Sequence, residues 1–489
     1  MRFEWIIEGG VLVTPEGIRP GTIGIRNGRI AAVAPPDASL EADKRWNASG
    51  LHVLPGAIDI HCHLRSPAYP ERGTVDSETA ACAAGGITTL FEMPITDPCC
   101  NSPDRVEIRR KHFSASALVD FALYAAPAEL TPPAFEALAE AGIVALKIFT
   151  IPSPPGRERE FEGLAWPDAA DQLRALELAA RYGLPVVAHA EHPEILARGA
   201  LQAAQLDPGD AATHTTARPA VAESLAVAQL LTLNVEAQAA LHIAHVTCAA
   251  TLEVLRRFAG SSDFSAETCP QYLSHTEEDV ARVGVYGKVN PPIRTAADRE
   301  ALWDALRDGT LAHVTTDHTS FTVAEKAAHE GNFLTAPPGH PGTEVLLPTL
   351  LDGAGVGRLT LGRIVDLVAT NPARRFGLAD RGVIREGYRA DLALMDLEGE
   401  THPTAATLLT RARDVARLVH GKRYRGRVAA TFVAGGPVWD GTAIVATPGN
   451  GSFVGPHRPS SARAVGKTAL TRDTEGGPAP APVSEVSGS

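Results

Sequence analysis

The chain has 489 residues, of which 44% are hydrophobic and 21% charged, and its formal net charge is −12. These values are ordinary for a soluble globular protein, and the length is too great for one simple domain. No Lys/Arg-rich run stands out, so we expect no binding to nucleic acid or to an anionic membrane surface. No stretch approaches the roughly 20 apolar residues of a membrane span, and the acidic N-terminus lacks a signal-peptide core. Six cysteines in so long a chain do not indicate a disulfide framework, so we predict a cytoplasmic location.

The two ends of the chain share a β-rich character. Residues 1–54 and 381–446 contain short alternating or apolar runs separated by turn residues. We therefore predict that both segments pair into one small β-sandwich. The last stretch, residues 447–489, is rich in Gly, Pro, Ser and Ala, and we predict that it is disordered.

The central region, residues 55–380, alternates between apolar runs and helical patterns, which favours an α/β fold with a parallel sheet. Eight such units over this length favour a closed (β/α)8 TIM barrel. An open doubly wound sheet is the alternative, but no glycine-rich phosphate loop follows the first strand. The predicted strands are Ala57–His63, Ile87–Pro94, Val119–Ala125, Ile143–Thr150, Pro185–Glu191, Leu241–Val246, Phe264–Cys269 and Ala312–Asp317. The clearest helical segments are Pro103–Ser114, Ala169–Tyr182, Ala220–Leu233 and Asp298–Arg307.

Lys147 is the most informative residue, because it lies inside an apolar run where a free ammonium group is costly to bury. One alternative is a lysine that reaches the barrel rim. A lysine carboxylated by CO2 is instead an anionic ligand that can bridge two metal ions. Other candidate ligands lie near the ends of apolar runs, at the barrel face where active sites form; they are His61, His63, His189, His245 and Asp317. Four histidines, one such lysine and one aspartate predict a two-metal site that activates water for hydrolysis.

The histidine assignments rest on strand geometry. His61 and His63 are two residues apart and point the same way, which excludes Cys62 between them. His242 and His245 are three apart, so we expect only one of them to face inward. We choose His245, which is nearer the strand end, and expect His242 to pack against the helical layer.

Asp317 is the predicted catalytic residue. At the end of strand eight its carboxylate can bind a metal, accept the proton of the attacking water and deliver it to the departing nitrogen. We choose His189 over His192, which falls beyond the strand in a loop. The sequence assigns no role to four further histidines, which are His214, His313, His318 and His340.

Several motifs together give the chain a recognisable pattern. They are residues 54–65 (LPGAIDIHCHLR), 83–89 (AAGGITT), 146–149 (LKIF), 188–191 (AHAE), 245–247 (HVT), 288–294 (KVNPPIR), 316–318 (TDH) and 371–373 (NPA). The chain resembles the cyclic amidohydrolases of the amidohydrolase superfamily, the dihydroorotases, allantoinases and hydantoinases, as far as about residue 441. The resemblance implies hydrolysis of a ring amide in a small-molecule substrate by two Zn²⁺ ions. It places His61, His63 and Asp317 on one metal and His189 and His245 on the other, with carboxylated Lys147 as the bridge. It also implies a homo-oligomer.

Two residues are candidates for substrate binding. Arg65 looks like the dihydroorotase arginine that pairs with a substrate carboxylate, and Asn290 also resembles a dihydroorotase position. Two departures put that match in doubt. Ile95 stands where dihydroorotases carry a carboxylate-binding asparagine, and Phe321 replaces a histidine after the catalytic aspartate. We nevertheless expect a dihydroorotase-like activity first.

Three alternatives remain. Allantoinase is close behind, since residues 87–94, 216–219 and 267–270 resemble that branch. Hydantoinase is third, because Pro152 stands where those enzymes usually have a tyrosine. The rival from another class is a non-catalytic scaffold homologue, although all six metal-ligand positions are kept. The charged segment Ser153–Gly163 is expected to shape the mouth of the site.

Overall fold

A computed structural model describes residues 2–457 of the chain. Two sheets dominate it. The strands are β1 (Arg2–Thr14), β2 (Gly17–Arg26), β3 (Arg29–Ala34), β4 (Glu41–Asn47), β5 (His52–Pro55), β6 (Ala57–His63), β7 (Ile87–Glu92), β8 (Asp120–Ala125), β9 (Ala145–Phe149), β10 (Val186–His189), β11 (Leu241–Ile243), β12 (Phe264–Thr268), β13 (His313–Val314), β14 (His318–Thr319), β15 (Leu392–Thr401), β16 (Tyr424–Val433) and β17 (Gly436–Trp439).

Helices connect the strands of the second sheet and cover it. They are α1 (Val75–Ala84), α2 (Pro103–Ser114), α3 (Pro132–Glu140), α4 (Ala169–Tyr182), α5 (Pro193–Ala203), α6 (Ala211–Ala217), α7 (Ala220–Ala237), α8 (Ala249–Arg257), α9 (Pro270–Ser274), α10 (Glu277–Val283), α11 (Ala296–Asp308), α12 (Val323–Ala327), α13 (Leu346–Gly355), α14 (Leu361–Val365) and α15 (Asn371–Arg375). Within the residues that the structure describes, no helix is both long and apolar enough to cross a membrane.

The first sheet is built from both ends of the chain. Its order is β17-β16-β15-β5-β1-β2-β3, with β4 also paired to β1. The two ends meet where β5 runs antiparallel to β15. A hydrophobic core of its own, with Ile7, Ile23, Leu394 and Phe432, fills this module. The prediction that both chain ends join in one small β module is therefore confirmed, and the module is built on a single eight-stranded sheet.

The second sheet is the parallel barrel, in the order β13-β12-β11-β10-β9-β8-β7-β6-β14. β13 and β14 are two short pieces of the eighth barrel strand. β13 pairs with β12 and β14 pairs with β6, so the ring closes across the connection that contains Asp317. The predicted (β/α)8 barrel is confirmed.

Local sequence signals set the helix ends. Ser102 caps α2 by accepting a hydrogen bond from the Arg105 amide, and a proline follows at the first helical position. Asp168 caps α4 in the same way, and Gly183 ends that helix in the left-handed conformation at φ 63°. The helices predicted for 103–114 and 169–182 therefore have the observed bounds.

The barrel interior is filled by side chains below the site. Ile60, Phe91, Tyr124 and Val187 belong to one buried inner cluster with Phe376, which follows α15. The ring of Phe376 lies 5.4 Å from that of Phe91 at an interplanar angle of 88°, an edge-to-face contact. This packed interior gives the site a rigid base.

The segment after the first sheet differs from the expectation of disorder from residue 447. A C-terminal strap, residues 450–454, forms a parallel β-bridge with the start of β8. There Phe121 donates from its amide to the Ser452 carbonyl and accepts from the Val454 amide. Phe453 packs on Phe121 with ring centroids 5.7 Å apart. The prediction of disorder is therefore wrong for these residues, because an aromatic side chain and main-chain hydrogen bonds hold them. The rest of that prediction, for residues 458–489, lies outside the described residues.

Candidate metal centre

A bulge in β6 aims the first two histidines. Between Asp59 and Cys62 the ladder with β7 shifts register, with one more residue on β6 than on its partner. Ile60 therefore packs in the inner cluster, yet His61 and His63 also face the cavity. Bulges of this kind re-aim side chains beside active sites. Cys62 points away from the cavity and donates its thiol hydrogen to Asp59, with 3.0 Å between sulfur and oxygen.

Asp317 meets these histidines from the connection before β14, the strand that pairs with β6. Its Oδ1 lies 3.3 Å from Nε2 of His61 and 3.2 Å from Nε2 of His63. The potential ligand atoms of the three residues all lie within 4.8 Å of one another. Asp317 holds φ at 48°, a left-handed conformation that is unusual for a residue other than glycine. Such conformations concentrate at functional sites.

Lys147, His189 and His245 complete the cluster. Nζ of Lys147, on β9, lies 3.4 Å from Nε2 of His61. Nδ1 of His189, at the end of β10, lies 3.0 Å from Nε2 of His245. The six predicted ligand residues are brought together, and Arg65 and Asn290 line the same cavity.

Burial dominates the electrostatics of the cluster. It lowers the pKa of the Lys147 ammonium to about 8, which leaves part of the lysine as the neutral amine that CO2 requires. Burial, followed by the nearby Lys147 charge, lowers the pKa of His61 to about 4. Burial also raises the pKa of the Asp317 carboxyl. The histidines are therefore neutral, as metal ligands must be.

Two buried carboxylates fix the orientation of the histidine rings. Oε1 of Glu267, on β12, accepts a hydrogen bond from Nδ1 of His61 at 2.5 Å. Oε2 of Glu191 accepts one from Nε2 of His189 at 2.7 Å. These contacts leave Nε2 of His61 and Nδ1 of His189 as lone-pair donors that face the cluster.

Arg218 offsets the negative charge of the Glu191 carboxylate. Its Nε donates to Oε1 of Glu191 at 3.1 Å, and its Nη2 donates to Oε2. Although burial raises the pKa of the Glu191 carboxyl, the guanidinium and the His189 ring together lower it to about 2. Sequence reasoning assigned no role to Glu191, Arg218 or Glu267. A charged residue inside an apolar strand, the signal that singled out Lys147, would have found Glu267.

The expected position of His242 is wrong. Its Nε2 donates to Oε2 of Glu267 at 2.9 Å, and its ring packs on Phe376, so it lies inside the barrel beneath the site. The strand-alternation argument fails because β11 ends at Ile243. His245 lies beyond it with φ at 37°, and this left-handed turn also brings its ring inward.

The remaining histidines divide between the cavity and the packed interior. His214 lines the cavity, where its Nε2 lies 2.9 Å from Oδ1 of Asn290. His318 is buried and its Nε2 lies 3.0 Å from Oε2 of Glu78. His192 stands at the N-terminus of α5, outside the cavity wall. His214, like Arg218, is thus a cavity residue that sequence reasoning missed.

The cluster forms the floor of a cavity of about 1270 Å³. Phe149 stacks on His189 at a centroid distance of 4.6 Å and an interplanar angle of 18°. Part of the charged segment predicted at the mouth lines the cavity wall, with Arg157, Glu160 and Phe161.

The donor set fits a pair of metal ions of the zinc type. Imidazole nitrogens and carboxylate oxygens are the ligands that zinc accepts, and a carboxylated lysine adds oxygen donors. Nδ1 of His63 and Nδ1 of His245 are buried and have no hydrogen-bond partner among the described residues. The other ring nitrogens, the Nε2 atoms, face the cluster at 3.2 Å from Oδ1 of Asp317 for His63 and 3.0 Å from Nδ1 of His189 for His245, so their lone pairs are placed for an ion.

Comparisons with known proteins agree with this geometry. The model of the amidohydrolase family matches residues 52–438. An allantoinase of Rubrobacter xylanophilus is 37% identical over 94% of this chain and 99% of its own length. A dihydroorotase of Bacillus cytotoxicus is 30% identical over 89% of this chain and 98% of its own length. The solved L-hydantoinase (dihydropyrimidinase) from Arthrobacter aurescens covers 93% of this chain and 100% of its own, with 30% identity and a TM-score of 0.87.

A metal-dependent hydrolase barrel is the class that the fold and the cluster define. The chain belongs to the amidohydrolase family. The family and these relatives support hydrolysis of cyclic amides as its activity.

Proposed function

We propose that this chain is a zinc-dependent hydrolase that opens a cyclic ureide, with allantoin as the first substrate to test. The observation that carries the proposal is the convergence of four histidines, Lys147 and Asp317 on the floor of one cavity. The 37% identity to an allantoinase over 94% of this chain supports the choice of substrate.

We further propose the ligand assignment that the resemblance implies. His61, His63 and Asp317 would hold one ion, His189 and His245 the other, and carboxylated Lys147 would bridge them. When bound, the ions would supply Lewis-acid polarisation of the ring carbonyl and an activated water.

The protein's own groups would carry the proton. Asp317 accepts a proton as the water oxygen bonds to the ring carbonyl carbon, then donates that proton to the ring nitrogen when the C–N bond breaks. Burial raises the pKa of the Asp317 carboxyl and so brings it closer to neutral pH, which suits a group that first accepts and then donates a proton. Glu267 and Glu191 keep the histidine rings in the tautomers that the site requires.

Dihydroorotate is the second candidate, on the strength of Arg65. Its guanidinium lines the cavity and would pair with a substrate carboxylate. However, Oε2 of Glu160 lies 3.6 Å from Nη1 of Arg65 and already offsets part of its charge. Arg157 and Arg72 also lie near Arg65 and add positive charge, so the local charge does not separate the two candidates, and the identity to an allantoinase decides the order.

The test is ring opening of allantoin, dihydroorotate, dihydrouracil and hydantoin in parallel by the zinc-loaded protein. Preferred turnover of allantoin is expected. Preferred turnover of dihydroorotate would move the chain to the second candidate, and preference for hydantoin or dihydrouracil would move it to the third branch. No turnover of any ring, with metal bound, would contradict the proposal and favour the scaffold alternative.

Location and assembly stay predictions. The six cysteines are buried free thiols, a state that a reducing cytoplasm favours. The predicted homo-oligomer would be measured by light scattering on the metal-loaded protein.

A further inference from the structure

One wall of the cavity carries a buried pair of opposite charges that the hydrolytic chemistry does not use. Arg65 follows β6 and Glu160 lies in the loop after β9, and their side chains are only 7% and 11% exposed. Both line the cavity whose floor holds the metal cluster.

Main-chain contacts hold Arg65 in place. Its amide donates to Oε1 of Glu92 at 2.8 Å, and its carbonyl accepts from Oγ1 of Thr96 at 2.9 Å. Its φ is 57°, a left-handed conformation that these contacts stabilise. The guanidinium is therefore presented by a fixed backbone.

Glu160 is held as an ionised acceptor. Arg157 binds it through two hydrogen bonds, from Nε to Oε1 at 3.0 Å and from Nη2 to Oε2 at 2.7 Å. Burial raises the pKa of the Glu160 carboxyl, but Arg157, Arg65 and Tyr69 together lower it below its usual value. The carboxylate is therefore charged at neutral pH.

The pair is not saturated. The distance of 3.6 Å between Nη1 of Arg65 and Oε2 of Glu160 exceeds a hydrogen bond. Nε of Arg65 is buried and has no hydrogen-bond partner among residues 2–457. Ile95, which also lines the cavity, is apolar. The guanidinium lies 5.4 Å from the ring centroid of Phe321, a cation–π contact that supplies no hydrogen-bond acceptor.

We infer that Arg65 and Glu160 form a subsite for a neutral carbamoyl or ureido substituent on the substrate ring. The inference rests on the proposed function and names the substituent that this site selects. A ureido group has a carbonyl oxygen that accepts from Arg65 and N–H groups that donate to Glu160. It therefore matches both members of the pair and adds no net charge.

Other substituents match the pair less well. A carboxylate offers acceptors alone, so it can pair with Arg65 but gives Glu160 no donor. An alkyl group leaves both charged side chains desolvated without a partner, and sites built on polar groups reject such ligands strongly. A ring that carries only hydrogen at this position leaves room for water, which can hydrogen-bond to both charged side chains in place of the substituent.

The test compares allantoin, which carries the ureido group, with hydantoin, which lacks it, in Glu160→Gln and Arg65→Gln. Each variant should lower kcat/KM for allantoin by about 10- to 100-fold, the effect of one hydrogen bond to a charged group. The loss of kcat/KM for hydantoin should be clearly smaller, because hydantoin lacks the ureido group that contacts the pair. Glu162→Gln is the matched control, since Glu162 lies two residues further along, is 57% exposed and pairs with Arg105.

Binding to the Asp317→Asn variant, measured by calorimetry, separates the two proposals. If the wild-type protein opens no ring, the proposed function fails. The subsite would still be supported if allantoin binds more tightly than hydantoin and if Glu160→Gln removes that difference. The ureido subsite would be overturned if the variants lose equal affinity for allantoin and hydantoin, or if they lose no more affinity than Glu162→Gln does.

Discussion

The floor and the rim of the cavity are built in different ways. The floor consists of the six candidate metal ligands, and the rim of Arg65, Arg72, Arg157, Glu160 and Glu325. Floor residues lie at or next to strand ends, and buried carboxylates on neighbouring segments orient two of the rings. Rim residues lie on loops or short helices and pair chiefly with one another, as Arg72 does with Glu325 at 2.6 Å.

This difference separates reactivity from selectivity. A group on a packed strand end can be held to the fraction of an ångström that chemistry needs. Ion pairs on loops can change partners without disturbing the barrel. We therefore expect floor substitutions to change turnover of every substrate and rim substitutions to change the ranking of substrates.

The largest effect is expected from Lys147→Ala. Loss of the bridging ligand should abolish hydrolysis and reduce bound metal from two ions to one or none per chain. Without the anionic carboxylated lysine between them, two cations would repel each other. Metal content by atomic emission and turnover of allantoin would be measured together. Lys111→Ala, on a lysine that is 75% exposed, is the control. Full activity in the Lys147 variant would end the bridging-lysine proposal.

Asp317→Asn should come next. The amide cannot accept the proton of the attacking water, so kcat should fall by roughly 10²- to 10⁴-fold, the usual contribution of a general acid–base group. Steady-state kinetics with allantoin and hydantoin would show the same loss for both. Asp304→Asn, whose carboxylate is 61% exposed, should leave kcat unchanged. A loss confined to one of the two substrates would count against a role on the floor.

Glu267→Gln and Glu191→Gln test the carboxylates beneath the floor. Each should weaken metal affinity by roughly 10- to 100-fold, as is typical when a hydrogen-bond partner of a metal ligand is changed. Competition with a zinc chelator measures this affinity without relying on turnover. The exposed Glu177→Gln provides the comparison. Unchanged affinity in both variants would mean that strand packing alone orients the histidines.

The smallest effect concerns the ranking of substrates at the rim. Glu160→Gln removes the negative charge beside Arg65, so the ratio of kcat/KM for dihydroorotate to that for allantoin should rise by about tenfold or more. Both values would be taken at the same ionic strength, since salt weakens the effect. An unchanged ratio of the two kcat/KM values would indicate that the rim residues do not discriminate between substrates by their charge.

The floor could largely be predicted from the sequence, because ligands at the ends of apolar strands share one signal. Burial of Lys147 in an apolar run has few explanations other than function. The prediction for His242 was wrong. His245 lies beyond the end of β11 in a left-handed conformation, so strand alternation does not relate the directions of the two side chains. Backbone conformations of this kind leave no clear trace in the sequence at a histidine.

The rim could not be predicted to the same depth. The position of Ser153–Gly163 at the mouth was anticipated from its composition, but the contact between Glu160 and Arg65 joins residues 95 positions apart in two loops. Loop conformation depends on tertiary contacts, such as those of Arg157 with Glu160, and not on a repeating pattern. Arg218 was missed for the same reason, because its partner Glu191 lies on another segment.

The C-terminal strap has a practical meaning for anyone who shortens this chain. Gly451 donates to the Ala117 carbonyl, and an added Cβ there would come within 1.9 Å of the Val119 carbonyl oxygen. A truncation that ends before Gly451 would uncover Phe121 and leave polar groups along β8 without their partners. Such a protein would present an apolar surface beside an unpaired backbone, the combination that drives aggregation. A shortened protein should therefore keep the strap and the residues up to His457, whose amide donates to the Gly377 carbonyl.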